Sequence, residues 1–381
     1  MTDAIQLYNQ PVVFDNGSAV IKAGFCGEER PKCLEYSMVG DATHTKATSG
    51  GLAHDTYVGN KAQNLRGLLR LRYAVERGVV SSWDDMELIW SHVLYDSLQL
   101  ENRNEHPLLM TEAPLNPHSN REKIYEVLFE KFNFPAICVS LPAVLSLYAS
   151  GSTTGCVLDC GDGYCSSVSI YKGYTLSSTI RRTNLGGRDI TEQLQYHIRS
   201  ESGPWLFSSS EREMVRIMKE KGCYISPDPR KEAEDYQFGS DQLSKKFKLP
   251  DGKVLALKES QFRAPEILFR PDITGIEEDG LPEMVLHSIS NVDLELRPEL
   301  LSKIVLSGGS TMFPGFGQRM LKELQGLTHK KANIRLIAPP ERKYSAWIGG
   351  SVLASLTTFN RMLTTQSDWQ DNGSKILFDY Q

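Results

Sequence analysis

The chain has 381 residues, of which 40% are apolar and 23% charged, and its formal net charge is −5. That length exceeds what one hydrophobic core ordinarily serves, so two domains are expected. The acidic balance leaves no cationic excess for phosphodiester backbones, which excludes nucleic acid as the main partner and gives no electrostatic hold on an anionic membrane.

The longest apolar stretch, Ala136 to Ala149, is broken by Pro142. It is too short to cross a bilayer, so no direct membrane insertion is expected. The opening MTDAIQLYNQ lacks the basic start and apolar core of a signal peptide, and the closing FDYQ carries no prenylation box. A cytosolic protein is expected. Seven cysteines (Cys26, Cys33, Cys138, Cys156, Cys160, Cys165 and Cys223) include no C-x-x-C pair. Reduced, packed thiols are expected rather than a zinc site, and the scattered histidines form no ligand pair.

In chain order, Pro11 to Phe14 read as a strand ending at Asp15, with Asn16 and Gly17 in a tight turn and Ile21 to Phe25 returning as a hairpin. Residues 41–55 contain almost no large apolar groups and read as a mobile loop that a partner would order. Near residue 155 the first pattern recurs: Cys156-Val157-Leu158, then Asp159, then Cys160-Gly161-Asp162-Gly163, then an alternating return strand. Two such hairpins 144 residues apart are too widely spaced for a solenoid and fit two domains of similar design.

Ser210 and Glu213 read as a capping box for a helix in which Met214, Ile217 and Met218 form the apolar stripe. Arg216, Lys219 and Glu220 share another face of that helix. Residues 227–248 are polar and read as an exposed excursion. Ile304 to Leu306 lead into the turn Ser307-Gly308-Gly309-Ser310 and then a helix, with Pro314 in its first turn and Phe316, Met320 and Leu324 on one face. Pro339-Pro340-Glu341-Arg342-Lys343 is expected to start another helix, in which Trp347-Ile348-Gly349-Gly350 allows close packing.

Two glycine-bearing hairpins facing each other can wrap a polyphosphate, because their amides form concave nests for oxygen anions. Lys22 sits where it can reach a β- or γ-phosphate. Asp15 and Asp159 would face a hydrated Mg²⁺, which keeps most of its waters and meets one or two carboxylates. The third turn would close over the nucleoside. No G-x-x-x-x-G-K-[ST] occurs, so this is not a P-loop.

The strings DNGSAVIKAGF, VLDCGDGYCSS and VLSGGSTMFPGFG resemble the two phosphate hairpins and the adenosine loop of the actin family. WDDMELIW, HPLLMTEAPLNPHSNREK, AVLSLYASG, GGRDIT, LPDGK, FRAPEILF and PPERKYSAWIGGSVLASL resemble actin segments in the same order, from about Asn9 onward. Within the family the likeness is greatest to the centractins, the branch that forms the short filament of dynactin, on YNQPVVFDNG, FSSSERE and FRAPEILFRPD. The acidic cluster that opens conventional actins is absent, and Arg77 stands where actins carry a modified histidine.

The resemblance implies an α/β, duplicated nucleotide-clamp fold with four subdomains. One domain would span 1–149 plus 345–381, with 37–73 as its outer subdomain. The other would span 150–344, with 186–276 as its outer subdomain. Chain crossings near Leu141–Ser150 and Ala338–Ser345 would form the hinge.

The resemblance also implies ATP or ADP with Mg²⁺ as cofactor. Asp15 and Asp159 would flank the metal through water. Asn16, Gly17, Ser18, Ala19, Lys22, Gly161, Asp162 and Gly163 would line the phosphates and ribose. Arg216, Lys219 and Glu220 would border base and ribose, and Gly187, Gly308, Gly309, Met312, Phe313 and Lys343 would complete the adenosine pocket. Implied partners are further copies of the chain in a short filament, other dynactin subunits, capping proteins, dynein and cargo adaptors. The 41–55 loop would insert into a neighbouring subunit. Phe269 to Gly275 would be a cross-strand plug, and the acids that follow it (Glu277, Glu278, Asp279) imply salt-dependent assembly.

Four departures bear on chemistry. Ala19 replaces a usual glycine in the first phosphate loop, which raises the question of crowding or of a constrained φ. Asn184 replaces an aspartate before the GGRD turn. Pro142 and Ser166 occupy the positions of the glutamine and histidine that activate water in actins; proline cannot position water and serine is a poor base. Very slow or absent hydrolysis is therefore expected. A sugar or acetate kinase would share the clamp but needs a carboxylate base, and none is evident besides the metal aspartates. The remaining alternatives are a divergent conventional actin or another actin-related protein.

Overall fold

The computed structural model describes residues 8–43, 55–201, 203–237 and 244–378. Its contacts divide into two compact units: Met1–Leu65, Arg72–Thr153 and Tyr344–Gln381 form one, and Arg66–Leu71 with Thr154–Lys343 form the other. Both are α/β, as expected.

The first unit is built on a six-stranded sheet in the order Thr364–Thr365, Ala136–Ser140, Leu108–Thr111, Val12–Asn16, Val20–Phe25, Cys33–Tyr36. Val12, Val13 and Phe14 are all buried because both faces of this sheet are covered, the situation in which a strand reads as a continuous apolar run. Val12 and Phe14 pack with Ile21, Met86 and Trp90 on one face. Val13 packs with Leu109, Leu145 and Trp347 on the other. There the helices Pro142–Ala149 and Ser345–Ala354 approach closely. A β-carbon at Gly349 would stand 1.7 Å from the Leu145 carbonyl oxygen, so the close packing read from Gly349-Gly350 is required at Gly349.

The second unit repeats the plan. Its sheet runs Tyr174–Thr175, Cys165–Tyr171, Gly155–Cys160, Ile304–Ser307, Leu336–Ile337, with Arg181–Thr183 also on Cys165–Tyr171. In each unit the Asp-bearing strand has an antiparallel hairpin partner on one side and a parallel strand on the other. Helices Gly187–Ser200, Leu281–Ser290 and Phe316–Leu327 contribute Ile190, Leu194, Val285, Phe316, Met320 and Leu324 to one core. The i, i+4, i+8 face of the last helix is thus buried as its spacing predicts.

Several expectations need correction. Ser208 and Glu211, not Ser210 and Glu213, form the capping box, and the helix runs Ser209–Gly222. Its inward face holds Val215 and Met218, while Met214 and Ile217 are only partly buried. The polar 227–248 segment is exposed or half-buried wherever it is described, as expected, and it also carries regular structure. It contains the helix Pro229–Gln237 and the strand Lys245–Lys248, which pairs with Val254–Leu257. The turn at Gly308 leads into a 3-10 turn, Gly309–Met312, and the helix begins only at Phe316, after Pro314. Residues 44–54 of the expected 41–55 loop lie outside the described residues; Asp41 and Ala42 belong to the strand Met38–Ala42, paired with Thr56–Val58.

Candidate functional site: two aspartate-bearing hairpins

In the first unit Asp15 lies one residue before the end of its strand, opposite Lys22. Lys22 Nζ donates to Asp15 Oδ2 at 2.7 Å. Thr111 Oγ1 donates to the other carboxylate oxygen at 2.9 Å and accepts from the Asn16 amide at 3.0 Å. Trp90 Nε1 donates to Asn16 Oδ1 at 3.3 Å. Both oxygens of a buried carboxylate are thus oriented by neighbours, and the hairpin tip is fixed by the adjoining parallel strand.

Asp15 and Ser18 are buried, while Asn16, Gly17, Ala19 and Lys22 are partly exposed. A β-carbon at Gly17 would fall 2.5 Å from the Val20 carbonyl oxygen, so the tip admits no side chain there. Ala19 is not among the residues with positive φ, and its methyl costs no backbone strain. Pro142 opens the helix Pro142–Ala149 at a first-turn position, where its fixed φ suits the helix and its missing N–H costs nothing.

In the second unit Asp159 pairs across the hairpin with Ser166 and along the parallel strand with Ser307. All three are buried. The hairpin tip is tied to two other segments. Gly161 O accepts from Gly187 N at 3.0 Å and from Ser310 Oγ at 2.7 Å, and Asp162 O accepts from Arg188 N at 2.9 Å. Gly308 has φ +88°, and a β-carbon there would meet the Cys160 carbonyl oxygen at 2.2 Å. The second hairpin, the GGRD turn and the Gly308 turn therefore form one cluster within this unit.

A polar cradle surrounds Gly187. A β-carbon there would contact Ser310 Oγ at 3.0 Å, Asp162 Oδ1 at 3.1 Å and Lys219 Nζ at 3.2 Å. Lys219 Nζ donates to the Gly187 carbonyl at 2.6 Å, and burial pushes its ammonium down. Arg216 is held by Glu213 at 2.7 Å and Glu220 at 2.6 Å. Arg216 and Lys219 are buried and Glu220 is exposed, so the charged helix face is not simply solvated. Gly163 and Phe313 are buried, whereas Gly309, Met312 and Lys343 are exposed.

The sequence reading missed the residues that hold these groups in place. Thr111 ends the strand beside Asp15, and Ser310 anchors Gly161. Glu213 holds Arg216. Arg342 donates to Thr311 O at 2.8 Å, while its own carbonyl accepts from the Gly308 amide at 3.1 Å. Thr111 and Ser310 stand in strings the reading had singled out, but their contacts span 96 and 149 residues of chain. In the segment after Phe269, Glu278 accepts from Thr183 and Asp279 from His287, so part of the acidic charge expected to act across a filament is engaged within the unit.

The family profile described as Actin matches residues 6–379. The chain belongs to the actin family. It is 56% identical over 376 residues to "Centractin" of Saccharomyces cerevisiae, an alignment covering 99% of this chain and 98% of that protein. It is 49% identical over 375 residues to an "Actin-like protein" of Neurospora crassa, covering 98% of each. The duplicated hairpin-bearing units are thus the two halves of an actin-family fold.

Proposed function

We propose that this protein is an actin-related filament subunit of dynactin that holds ATP or ADP with Mg²⁺ as a structural cofactor and hydrolyses it very slowly or not at all. The observation that carries the reading is the 56% identity to a centractin along 99% of the chain. The polar cradle at Gly187 and the engaged Asp15 carboxylate fit the cofactor.

Asp15, Asn16, Gly17, Ser18, Ala19 and Lys22, with Asp159, Gly161, Asp162 and Gly163, would hold the phosphates and the hydrated ion. Gly187, Arg216, Lys219, Glu220, Gly308, Gly309, Met312, Phe313 and Lys343 would hold the nucleoside. When bound, the nucleotide supplies a polyanion and the ion the positive charge that offsets it. The side chains of the protein bind and orient. Pro142 has no polar group to place a water. Ser166 is a poor base, and a positioned base contributes roughly 10²–10⁴-fold to rate. Segments 37–73 and 186–276 serve as outer subdomains in this reading. The filament works in the cytoplasmic cytoskeleton with the other dynactin subunits and capping proteins, and through dynein and cargo adaptors in microtubule-based transport and nuclear or spindle positioning.

The test is the nucleotide content of purified protein, followed after polymerisation is induced. ATP that persists for hours in filaments is the expected result. ADP accumulating with phosphate release at the rate of a conventional actin overturns the slow-hydrolysis reading, and protein without nucleotide overturns the cofactor.

A further inference from the structure

The second phosphate hairpin is bracketed by two cysteines. Cys160 ends one strand, Cys165 begins the next, and the two are register partners. Only Gly161-Asp162-Gly163-Tyr164 lies between them. Directly opposed residues of an antiparallel pair project to the same face, and the two thiols lie against each other, fully buried. The hydrogen bond from Gly161 N to Tyr164 O makes the next pair inward, Cys160 with Cys165, the closely spaced kind, whose α-carbons are about 4.5 Å apart. That lies within the span a disulfide bridges, roughly 4.4–6.8 Å between α-carbons. The other thiol on this strand, Cys156, faces Ser169 and contacts Ser167, so it has no cross-strand cysteine.

We propose that Cys160 and Cys165 form a reversible disulfide under peroxide that locks the second phosphate hairpin. One thiol is oxidised by hydrogen peroxide to a sulfenic acid with release of water. The second thiol displaces hydroxide from that sulfur, forming the S–S bond and a second water. The balance is two thiols and one peroxide to one disulfide and two waters. Trapping by the opposed thiol is intramolecular, and effective molarities for well-oriented groups reach about 10⁵ M or more, so linkage outruns further oxidation.

The consequence follows from what the loop touches. Gly161 O and Asp162 O bind the Gly187 and Arg188 amides, and Gly161 O also accepts from Ser310. A covalent staple across the base of this loop removes its opening motion, and release of a bound nucleotide slows. This consequence rests on the nucleotide-binding reading; the linkage itself does not.

The experiment treats full-length protein with hydrogen peroxide, maps cysteine states by mass spectrometry, and measures release of a fluorescent ATP analogue before and after dithiothreitol. The expected result is a Cys160–Cys165 linkage that is reversed by dithiothreitol, is lost in Cys165→Ser, and persists in Cys156→Ser. Release slows by about tenfold in the linked form, as expected where a rigidified loop is preorganised for its ligand. Sulfenic or sulfinic acid at either residue without linkage overturns the proposal, as does linkage to another cysteine or linkage with unchanged release. Wild-type mapping decides the linkage even if the variants fail to fold. A reduced protein that binds no nucleotide would defeat the cofactor reading alone, because the mapping does not depend on it.

Discussion

Asp85 shows how a single charge can make stability depend on pH. Arg72 donates to both of its oxygens, from Nε at 3.1 Å and Nη2 at 2.9 Å, and the guanidinium holds the carboxyl below its usual range. A lowered folded value means that the contribution is complete above the unfolded carboxylate value and is lost as pH falls through the folded one. Solvent reaches much of the Arg72 side chain, so Asp85→Asn should cost only about 1 kcal/mol at neutral pH. The difference from wild type should shrink below about pH 4. Urea unfolding at neutral and acidic pH reads this directly, and a pH-independent difference would assign Asp85 a purely steric role. Gly308 makes a demand of a different kind. Its positive φ and the 2.2 Å approach of a β-carbon to Cys160 O both oppose any side chain. Gly308→Ala should cost about 3 kcal/mol or more, seen as a lower unfolding midpoint.

Among elements, the helices Pro142–Ala149 and Ser345–Ala354 pack closely in the first unit. Gly349 permits it, and Trp347 Nε1 fixes the second helix to the sheet through Val13 O at 3.0 Å. Gly349→Ala would force the helices apart and strain the Trp347 bond, with an expected cost of about 3 kcal/mol. Loss of the native tryptophan fluorescence at lower denaturant is the measurement, and an unchanged midpoint would show that the helix pair can spread. The helix Ser209–Gly222 shows why boundaries resist sequence reading. Ser208-x-x-Glu211 and Ser210-x-x-Glu213 are both legitimate capping boxes. Packing chooses the first, because Glu213 is buried against Arg216 and is not free to reach back to an N-cap. The helix Pro229–Gln237 escaped notice for a related reason: its anchors, Tyr224 to Glu232 and Tyr236 against Phe262, are tertiary contacts in a stretch whose composition is polar.

For the molecule as a whole, a nucleotide that binds only the folded chain must stabilise it by mass action. At a free concentration about 100 times its dissociation constant the gain is about 2.7 kcal/mol. Chelating Mg²⁺ and stripping nucleotide should therefore lower the melting temperature of both wild type and Lys22→Ala, with the smaller drop in the variant because its affinity is already reduced. A melting temperature indifferent to nucleotide and chelator would count against a structural cofactor. The duplication supports the expectation: two sheets of different sequence place an aspartate at the same point of a hairpin, beside a hydroxyl-bearing residue of the parallel strand (Thr111 in one, Ser307 in the other).

The sequence by itself determined the strands that carry Asp15 and Asp159, their glycine turns, and the buried face of Phe316, Met320 and Leu324. These depend on local periodicity and turn chemistry, which adjacent residues encode. The family was legible for the same reason, since long strings stand in order along the chain. Only the tertiary structure decided that Thr111 orients Asp15, that Ser310 and Gly187 hold Gly161, and that Arg216 and Lys219 turn inward. It also decided that Cys160 faces Cys165 while Cys156 faces Ser169. Those facts depend on which segments meet after folding, and a hydrogen bond between residues a hundred positions apart leaves no mark in the spacing of either.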